Sequence, residues 1–474
     1  MTRTNLQQTL DFGTTIEKIE QQKSPKYLFF MFLALLFCLP LPLGSNRPWA
    51  WAVMEIWIFI IAIIWLAEMC MAKAHFTQAL KLSLPAIICW SLWLSIATIQ
   101  FLPMPQELTT VLAPKLVTIQ QQAGLGLANS MLPVSIDPYA ALVEWFKGVA
   151  YLLIFIMTLL LVENRNRIKI LAWTLASSGV VQAITGIVLI ASNSSSQNSA
   201  SGTFINPNHF ANYLVMTMAV GIGLIISGVK ERDKNRTVKQ FFFKFLRLLF
   251  SYKTPLRIFL IVIVSAIILS HSRMGNTSLL ISLTIAGLIS MHSYKKCKGT
   301  IVLILVSFIL IDLLLIGSWV GIDRVVERIE TTKISQELRP QVAIDTINLI
   351  KDYWLTGSGM GSYSTIYPRY KSFISDKHFR HADNDYLEFL SETGILGLIL
   401  LGIPILLSLK TAIKLQQKSQ DPLIKGFAFT TTMATVAILI HATTDYNLHI
   451  PANTATFMVL LALPWVLWAK DSLT

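Results

Sequence analysis

The sequence predicts an all-α, polytopic membrane protein with about twelve transmembrane helices and one large loop outside the bilayer. Three observations support this fold class. Hydrophobic residues make up 54% of the 474 residues and charged residues only 14%, and the mean hydropathy is +0.59. A soluble domain needs more charge than this to cover its surface. Apolar runs of spanning length recur along the chain, and the basic residues gather in alternate loops.

Spanning helices are predicted wherever roughly 20 mostly apolar residues follow one another. Twelve segments qualify, near 27–43, 49–71, 80–102, 140–162, 168–191, 209–228, 255–271, 274–291, 300–321, 386–409, 425–443 and 451–469. The first is expected to be a retained helix, because a long polar tail precedes it and a poor cleavage sequence follows it.

The basic residues predict the orientation of these spans. The net charge of +13 fits the positive-inside tendency of membrane proteins better than nucleic-acid binding. About two thirds of the 39 Lys and Arg residues lie at the amino terminus or in loops on its side. Both termini are therefore predicted to be cytoplasmic. The expected order is tail 1–26, helices 1–9 in 27–321, an outer loop at 322–385, helices 10–12 in 386–469 and tail 470–474.

The polar motifs all fall on the other, extracytoplasmic face. They are SIDPYA (135–140), SGTFINPNHFANY (201–213), SHSRMGN (270–276), the large loop 322–385 and DYNLHIP (445–451). Within the large loop, apolar residues at helical spacing predict an amphipathic helix over 341–352. This asymmetry predicts chemistry at the outer membrane surface, away from ATP and nucleotide sugars.

Two arginines are candidate ligands for a phosphate. Arg273 lies in a turn between two apolar runs, where a guanidinium near the hydrocarbon needs an anion. Arg339 precedes Pro340 at the predicted start of the loop helix, and a helix amino terminus favours anions. Arg binds phosphate oxygens in a fixed fork geometry. A snorkelling or solvated arginine is the structural alternative.

A second group of residues could carry acid–base chemistry or line a substrate cavity. His381, Asp383, Asn384 and Asp385 lie where the large loop re-enters the membrane, and Glu388 and Glu392 follow on one face of the next helix. A histidine or carboxylate there could remove a proton from an attacking hydroxyl, and His381, Asp383 and Asn384 are the catalytic candidates. Asp and Asn are also common helix caps. The candidate substrate-binding residues in other outer turns are Asn206, His209, Asp445 and His449.

Other notable residues have structural interpretations. The four cysteines lack partners at metal-ligand or disulfide spacing and are expected to be small hydrophobes. His441, inside an apolar run, is expected to be a hydrogen-bonded residue of the bundle. The glycines of GSGMGS (357–362) are expected to form a turn, because no strand–loop–helix context surrounds them.

At these motifs the chain resembles the bacterial O-antigen ligase and O-antigen polymerase family, which includes protein O-oligosaccharyltransferases. The matching pieces are SIDPYA, GTFINPNHFANYL, SHSRMG, the Arg339 helix with WLTGSGMGSY, HADNDYLEFLSETGILG and DYNLHIPAN, in family order. The resemblance implies a GT-C-like glycosyltransferase fold. It implies glycan transfer from an undecaprenyl-diphosphate donor to an acceptor hydroxyl, without nucleotide sugar, metal or other cofactor. The implied location is the periplasmic face of the bacterial inner membrane.

One position departs from the family pattern. Ligases of this family commonly have a histidine directly before the asparagine that precedes the paired glycines. Here that position is Asp383, and the histidine stands two residues earlier as His381. Asp383 is then the base, or His381 substitutes for it, or the acceptor differs.

The leading hypothesis is O-antigen ligation to lipid A-core, with the lipid-linked donor, the acceptor and membrane lipids as partners and no nucleic acid. A repeat-unit polymerase and a protein O-oligosaccharyltransferase are the nearest alternatives. A lipid-linked glycan transporter is a more remote one, since transporters place polar groups near the middle of the membrane.

Overall fold

The computed structural model describes residues 24–122, 131–192, 199–228, 254–293 and 338–472. These residues form an almost entirely helical protein. In chain order the α-helices are α1 (Lys26–Cys38), α2 (Pro48–Cys70), α3 (Gln78–Leu82), α4 (Leu84–Phe101), α5 (Gln106–Leu112), α6 (Pro114–Gln122), α7 (Pro138–Leu161), α8 (Arg165–Ala191), α9 (Pro207–Ser227), α10 (Thr254–Leu269), α11 (Arg273–Ser293), α12 (Arg339–Tyr353), α13 (Tyr363–Ile366), α14 (Asp385–Lys418), α15 (Pro422–His441) and α16 (Pro451–Asp471).

The remaining elements are short. Three 3₁₀ turns lie at Leu43–Ser45, Tyr367–Arg369 and Asn447–His449. Two two-residue strands, β1 (Met104–Pro105) and β2 (Met131–Leu132), pair antiparallel between α4 and α7. The fold class predicted from the sequence, an all-α polytopic membrane protein, is confirmed.

Among the described residues, nine helices are long and apolar enough to cross a membrane: α2, α4, α7, α8, α9, α11, α14, α15 and α16. Helices α1 and α10 are apolar but shorter. Eleven of the twelve predicted segments therefore coincide with a helix. The segment predicted at 300–321 lies outside the described residues. Helix α1 ends at Cys38, before the predicted 43, because Pro40 and Pro42 lack the amide hydrogens that a continuing helix needs.

Helices α9, α15 and α16 form the centre of the bundle. Their apolar windows are 94%, 83% and 94% buried, against 28–44% for the other spanning helices. Helices α9 and α15 approach closely where Gly223 meets Gly426, and a Cβ at either position would strike the other backbone. Small residues allow such close contact between membrane helices. This close packing holds the ends of the three central helices in fixed positions relative to one another.

The opposite ends of the bundle differ in chemistry. At one end Arg165 pairs with Asp421, Arg167 donates to Ser24 Oγ at 2.6 Å, and Lys470 donates to the Glu163 carbonyl. This end carries basic residues that the sequence predicts to be cytoplasmic. At the other end lie the start of α9, the α15–α16 turn, the start of α14 and the polar segment 338–384.

The polar segment 338–384 folds over that second end. The helix predicted over 341–352 is confirmed as part of α12, but Ile344 and Ile347 of the predicted apolar row are exposed. Its buried residues Val342, Leu349 and Tyr353 form a small apolar core with Tyr363 and Tyr367. The predicted loop residues 322–337 lie outside the described residues.

Candidate functional site

The sequence-predicted polar residues converge at one end of the central helices. Asn206 caps α9, since its Oδ1 accepts from the Asn208 amide at 2.9 Å. Asn453, at the start of α16, donates to the His209 carbonyl at 3.1 Å. The Asp385 amide, at the start of α14, donates to the Ala442 carbonyl at 3.0 Å. The first turns of α9, α14 and α16 and the end of α15 therefore surround one small region.

A buried histidine–carboxylate contact joins α9 to the α15–α16 turn. His209 Nε2 lies 3.1 Å from Asp445 Oδ1, and both side chains are almost fully buried. The Tyr446 amide donates to the same oxygen at 2.8 Å. Burial by itself would raise the pKa of Asp445, but the hydrogen bond and charge of His209 outweigh it and lower the pKa to about 2. The carboxylate is thus held ionised.

His381 is fixed from two sides. Its Nδ1 lies 2.6 Å from Glu388 Oε1, and the other oxygen of Glu388 accepts from the Ala382 amide at 2.8 Å. Its ring stacks on Tyr446 with centroids 3.9 Å apart. Glu388 is buried, whereas the His381 side chain remains 29% exposed. Because Nδ1 faces the carboxylate, Nε2 is the nitrogen that can face a substrate.

His449 lies next to the His381–Glu388 pair and contacts two carboxylates. Its Nδ1 is 2.8 Å from Asp385 Oδ1, and its Nε2 is 3.5 Å from Glu388 Oε1. The Leu448 amide donates to the other oxygen of Asp385 at 3.0 Å. Burial lowers the pKa of His449, but the carboxylates of Glu388 and Asp385 more than offset this and raise it to about 10. His449 is therefore positioned as a buried cation that supports Glu388.

Arg339 and Asp383 form a pair at the exposed rim. Arg339 Nε lies 3.3 Å from Asp383 Oδ2, with side chains 45% and 30% exposed. Arg339 is the first residue of α12, as the sequence predicts. Burial raises the pKa of Asp383, and Arg339 acts against that rise. Asn384 caps α14 through the Leu387 amide at 3.1 Å and donates to the Thr443 carbonyl at 2.8 Å.

Arg273 lies at the same end of the bundle. It is exposed at the first position of α11. Two residues later, a Cβ on Gly275 would lie 2.6 Å from the Ala211 Cβ in the first turns of α9. This close approach brings the starts of α9 and α11 together. Arg273 therefore shares an end of the bundle with His209.

The GSGMGS segment (357–362) is hydrogen-bonded to α14. Gly357, Gly359 and Gly361 all have positive φ. The Ser358 and Gly359 amides donate to the Ser391 and Glu392 carbonyls at 2.9 and 3.0 Å. The Tyr363 amide donates to the Glu392 carboxylate at 3.1 Å. These amides are occupied by α14, so the structure supports the predicted turn and leaves no phosphate cradle there.

His441 departs from the prediction. It is fully buried at the end of α15, as expected of a bundle residue. Both its ring nitrogens, however, lack a hydrogen-bond partner among the described residues. The expectation of a hydrogen-bonded histidine is wrong, because no polar atom of the described residues meets either ring nitrogen in hydrogen-bonding geometry, and Oδ2 of nearby Asp445 likewise has no partner among them.

The site also has the donor set of a possible metal centre. One ligand atom from each of His381, Glu388 and His449 lies within 4.8 Å of the others. Of these contacts only the one between His381 Nδ1 and Glu388 Oε1, at 2.6 Å, is a hydrogen bond, whereas His449 Nε2 lies 3.5 Å from the same oxygen and has no hydrogen-bond partner among the described residues.

The sequence placed Asp385 and Glu388 in the cluster around His381, but neither was assigned a role. Acidic residues at 385, 388 and 392 in the first turns of an otherwise apolar helix were the available signal. Nothing in the sequence indicated that Tyr446 stacks on His381.

Fold and site together define a multi-pass helical membrane protein with a histidine–carboxylate cluster at one end of its bundle. Residues 258–402 match the family model described as O-antigen ligase. The match runs from α10 through α12 and the GSGMGS segment into α14. It confirms the resemblance to the O-antigen ligase family, whose domain implies glycan transfer of the O-antigen ligase type in general. A comparison with curated proteins gave no match.

Proposed function

We propose that the protein transfers a glycan from an undecaprenyl-diphosphate-linked donor to an acceptor hydroxyl at the periplasmic face of the inner membrane. The observation that carries this proposal is the Glu388–His381 hydrogen bond of 2.6 Å. A buried carboxylate that holds one imidazole nitrogen leaves the other as an oriented general base. The acceptor is most simply lipid A-core, which makes the reaction O-antigen ligation.

The acceptor hydroxyl donates its hydrogen to His381 Nε2 as its oxygen attacks the anomeric carbon. The bond from that carbon to the diphosphate oxygen breaks, and its electron pair leaves with the diphosphate. Glu388, 2.6 Å from Nδ1, stabilises the imidazolium that forms. The proton is then released to water.

The arginines act on the leaving group. Negative charge grows on the diphosphate as the glycosidic bond breaks, so cations near it stabilise the transition state more than the ground state. Arg339 at the rim and Arg273 at the start of α11 are the proposed ligands. Asp383 holds Arg339 at 3.3 Å and so positions the guanidinium. This role favours His381 over Asp383 as the base.

The remaining polar residues shape the substrate cavity. Asn206, His209 and Asp445 are joined through the His209–Asp445 pair and Tyr446, which stacks on His381. We propose that these residues hold the wall of the substrate cavity in place. Asn384 supports the backbone at the start of α14. His449 supports Glu388.

The test is transfer by the purified protein in proteoliposomes, from a defined undecaprenyl-diphosphate-linked glycan to lipid A-core. His381→Ala should lower kcat by about 10²–10⁴-fold, the usual loss for a general base. Asp383→Ala should mainly raise KM, because Arg339 loses its partner. Arg339→Ala and Arg273→Ala should both reduce transfer strongly. His378→Ala, an exposed histidine on the same segment, is the matched control.

The outcomes separate the assignments. Full activity in both His381→Ala and Asp383→Ala would show that neither is the base. A large loss only in Asp383→Ala would transfer the role to Asp383. Wild-type rates in both arginine variants would remove the diphosphate-binding assignment.

The departure at Asp383 from the usual ligase histidine favours a second candidate, an acceptor other than lipid A-core. Gene deletion separates the choices. Uncapped core would indicate ligation, chains of a single repeat would indicate a polymerase, and unglycosylated protein would indicate a protein O-oligosaccharyltransferase. Movement of labelled lipid across vesicles without product would indicate a transporter.

A further inference from the structure

Two imidazoles and one carboxylate of the site direct ligand atoms to a common point. His381 Nδ1 lies 2.6 Å and His449 Nε2 lies 3.5 Å from Glu388 Oε1. One ligand atom from each of the three residues lies within 4.8 Å of the others. Two atoms that bind one tetrahedral Zn²⁺ are about 3.3–3.6 Å apart, so side-chain shifts on the order of 1 Å would enclose the ion.

The chemistry of these donors selects the kind of ion. Imidazole nitrogens suit Zn²⁺ and its first-row neighbours, whereas Mg²⁺ and Ca²⁺ prefer oxygen ligands throughout. Three protein ligands leave one tetrahedral position for water. The three side chains therefore match Zn²⁺ in both ligand type and ligand number.

His449 presents a free nitrogen to this point. Its Nε2 is buried and has no hydrogen-bond partner among the described residues. The ring is oriented from its other side, because Nδ1 lies 2.8 Å from Asp385 Oδ1 and the Leu448 amide donates to Asp385 Oδ2 at 3.0 Å. Histidines that bind a metal usually donate their other nitrogen to a carboxylate in this way. Buried nitrogens without a partner are rare, so the arrangement points to a ligand.

Glu388 is oriented in the same manner. Its Oε2 accepts from the Ala382 amide at 2.8 Å, which leaves Oε1 toward the two imidazoles. The Glu388 and His449 side chains are 2% and 10% exposed, whereas that of His381 is 29% exposed. An ion would therefore enter from the His381 side, which is the open side of the site.

The charges around the point favour a divalent cation. Asp385 and Glu388 bring two carboxylates into a buried region, and each needs a nearby positive charge. In the metal-free protein the proton on His449 supplies part of this balance. That proton leaves to water when Zn²⁺ binds, and the ion then supplies the positive charge.

We infer that His381, Glu388 and His449 bind one Zn²⁺, and that the bound ion inhibits transfer. The second part of this inference rests on the proposed function. A neutral imidazole that binds the ion through Nδ1 carries its hydrogen on Nε2. His381 Nε2 then cannot accept the hydrogen of the acceptor hydroxyl. Zn²⁺ is thus an inhibitor of the protein, and the metal-free form is the active one.

The first experiment measures Zn²⁺ binding to the purified full-length protein in detergent. The protein is treated with a chelator and then equilibrated with Zn²⁺ by dialysis. Wild type should bind one Zn²⁺ per chain at this site. Glu388→Gln and His381→Ala should raise the Kd at least about 100-fold, and Asp385→Asn about 10–100-fold, because it alters only the outer partner of His449. His378→Ala, which changes an exposed histidine outside the cluster, is the matched control and should keep the wild-type Kd.

Co²⁺ provides a second readout of the same site. Bound tetrahedrally in place of Zn²⁺, it gives strong visible absorption, which wild type and His378→Ala should show and His381→Ala should lose. His381 is the most exposed of the three ligands, so His381→Ala should remain folded and monodisperse. Equal Zn²⁺ affinities in wild type, Glu388→Gln and His381→Ala would overturn the inference. Monodisperse wild type that binds no Zn²⁺ would also overturn it.

Transfer assays test the inhibition separately. Zn²⁺ should abolish transfer by wild type at concentrations that match the measured Kd, a chelator should restore transfer, and equal Mg²⁺ should have no effect. The concentration for half-inhibition should rise in Asp385→Asn by the same factor as the Kd, which excludes an effect of Zn²⁺ on the donor diphosphate. If metal-free wild type shows no transfer, the proposed function fails although the zinc site stands. If wild type binds one Zn²⁺ and transfers at an unchanged rate, the inhibition is wrong and the proposed function stands.

Discussion

At the residue scale, the site depends on a buried charge balance around His449. The imidazole lies 2.8 Å from one carboxylate, Asp385, and 3.5 Å from another, Glu388. Unpaired buried carboxylates would be costly, so a protonated His449 stabilises the folded state. The same proton fixes Glu388 and, through it, His381. Stability and the geometry of the proposed catalytic site are therefore coupled at one residue.

This coupling predicts a pH dependence of stability. The pKa of His449 is raised to about 10, from an ordinary value of 6.5, by the carboxylates that outweigh its burial. The stabilisation is thus fully present below about pH 6.5 and is lost as the pH rises toward 10. We expect the free energy of unfolding to fall by an amount on the order of 3–5 kcal/mol across this window. Thermal unfolding in detergent at several pH values measures it.

His449→Gln should unfold at lower temperature at pH 6.5 and show a nearly flat profile up to pH 10. His378→Gln, which changes an exposed histidine, should keep the wild-type slope. If His449→Gln retained that slope, another group would hold the proton.

The sequence predicted which residues meet but not how they pair. His381, Arg339, Asp383, His449 and Asp445 were all expected at one site, and the structure brings them to one end of the bundle. The Glu388–His381 contact was not predicted because it spans seven residues and depends on the backbone of Asp383, whose φ of +51° turns the chain back. Such a left-handed residue is uncommon outside glycine, and although aspartate adopts it more often than most residues, nothing in the sequence singles out Asp383.

At the element scale, the apolar pattern located helices but not the break in α14. A run of spanning length predicted a helix over 386–409, and α14 does cover it. The interruption at Gly394 frees carbonyls of the first half, and the GSGMGS segment donates to them. Hydropathy reports which residues are apolar, and it carries no information on a partner loop about 35 residues away that completes the hydrogen bonding.

The break predicts strong sensitivity at Gly394. A Cβ there would collide with the Leu355 carbonyl, and its φ of +65° already disfavours other residues. Gly394→Ala should therefore reduce the free energy of unfolding by about 2–4 kcal/mol, from strain and overpacking together. Denaturant or thermal unfolding of the purified protein measures the change.

The matched control is Gly402→Ala on the same helix. Its added methyl meets open space, and alanine favours helix, so stability should be unchanged or slightly raised. Equal stabilities of the two variants would show that α14 can become continuous without loss of its hydrogen bonds to the GSGMGS segment.

At the scale of the whole molecule, the alternation of polar and basic turns between successive spans was the feature that best predicted the arrangement of the bundle. Turns assigned to one face by counting spans do meet at one end of the bundle, as the Asn453–His209 and Asp385–Ala442 contacts show. The basic loops meet at the other end through Arg165, Asp421 and Lys470. Counting spans assigned these turns to the correct end because successive spanning helices joined by short loops must alternate in direction. It does not identify which end faces the periplasm, so that assignment stays a prediction from charge.

The orientation can be measured with two cysteines at opposite ends. Cys70 is exposed at the end of α2, near the basic end, and His378 is exposed on the segment that covers the site. In a protein with Cys38, Cys89 and Cys297 changed to serine, a His378→Cys substitution should react with an impermeant maleimide in intact spheroplasts. Cys70 should react only after permeabilisation, since positive-inside bias places it in the cytoplasm. The reverse pattern would put the site in the cytoplasm and eliminate periplasmic transfer, while labelling of both in intact spheroplasts would contradict the separation of the two ends.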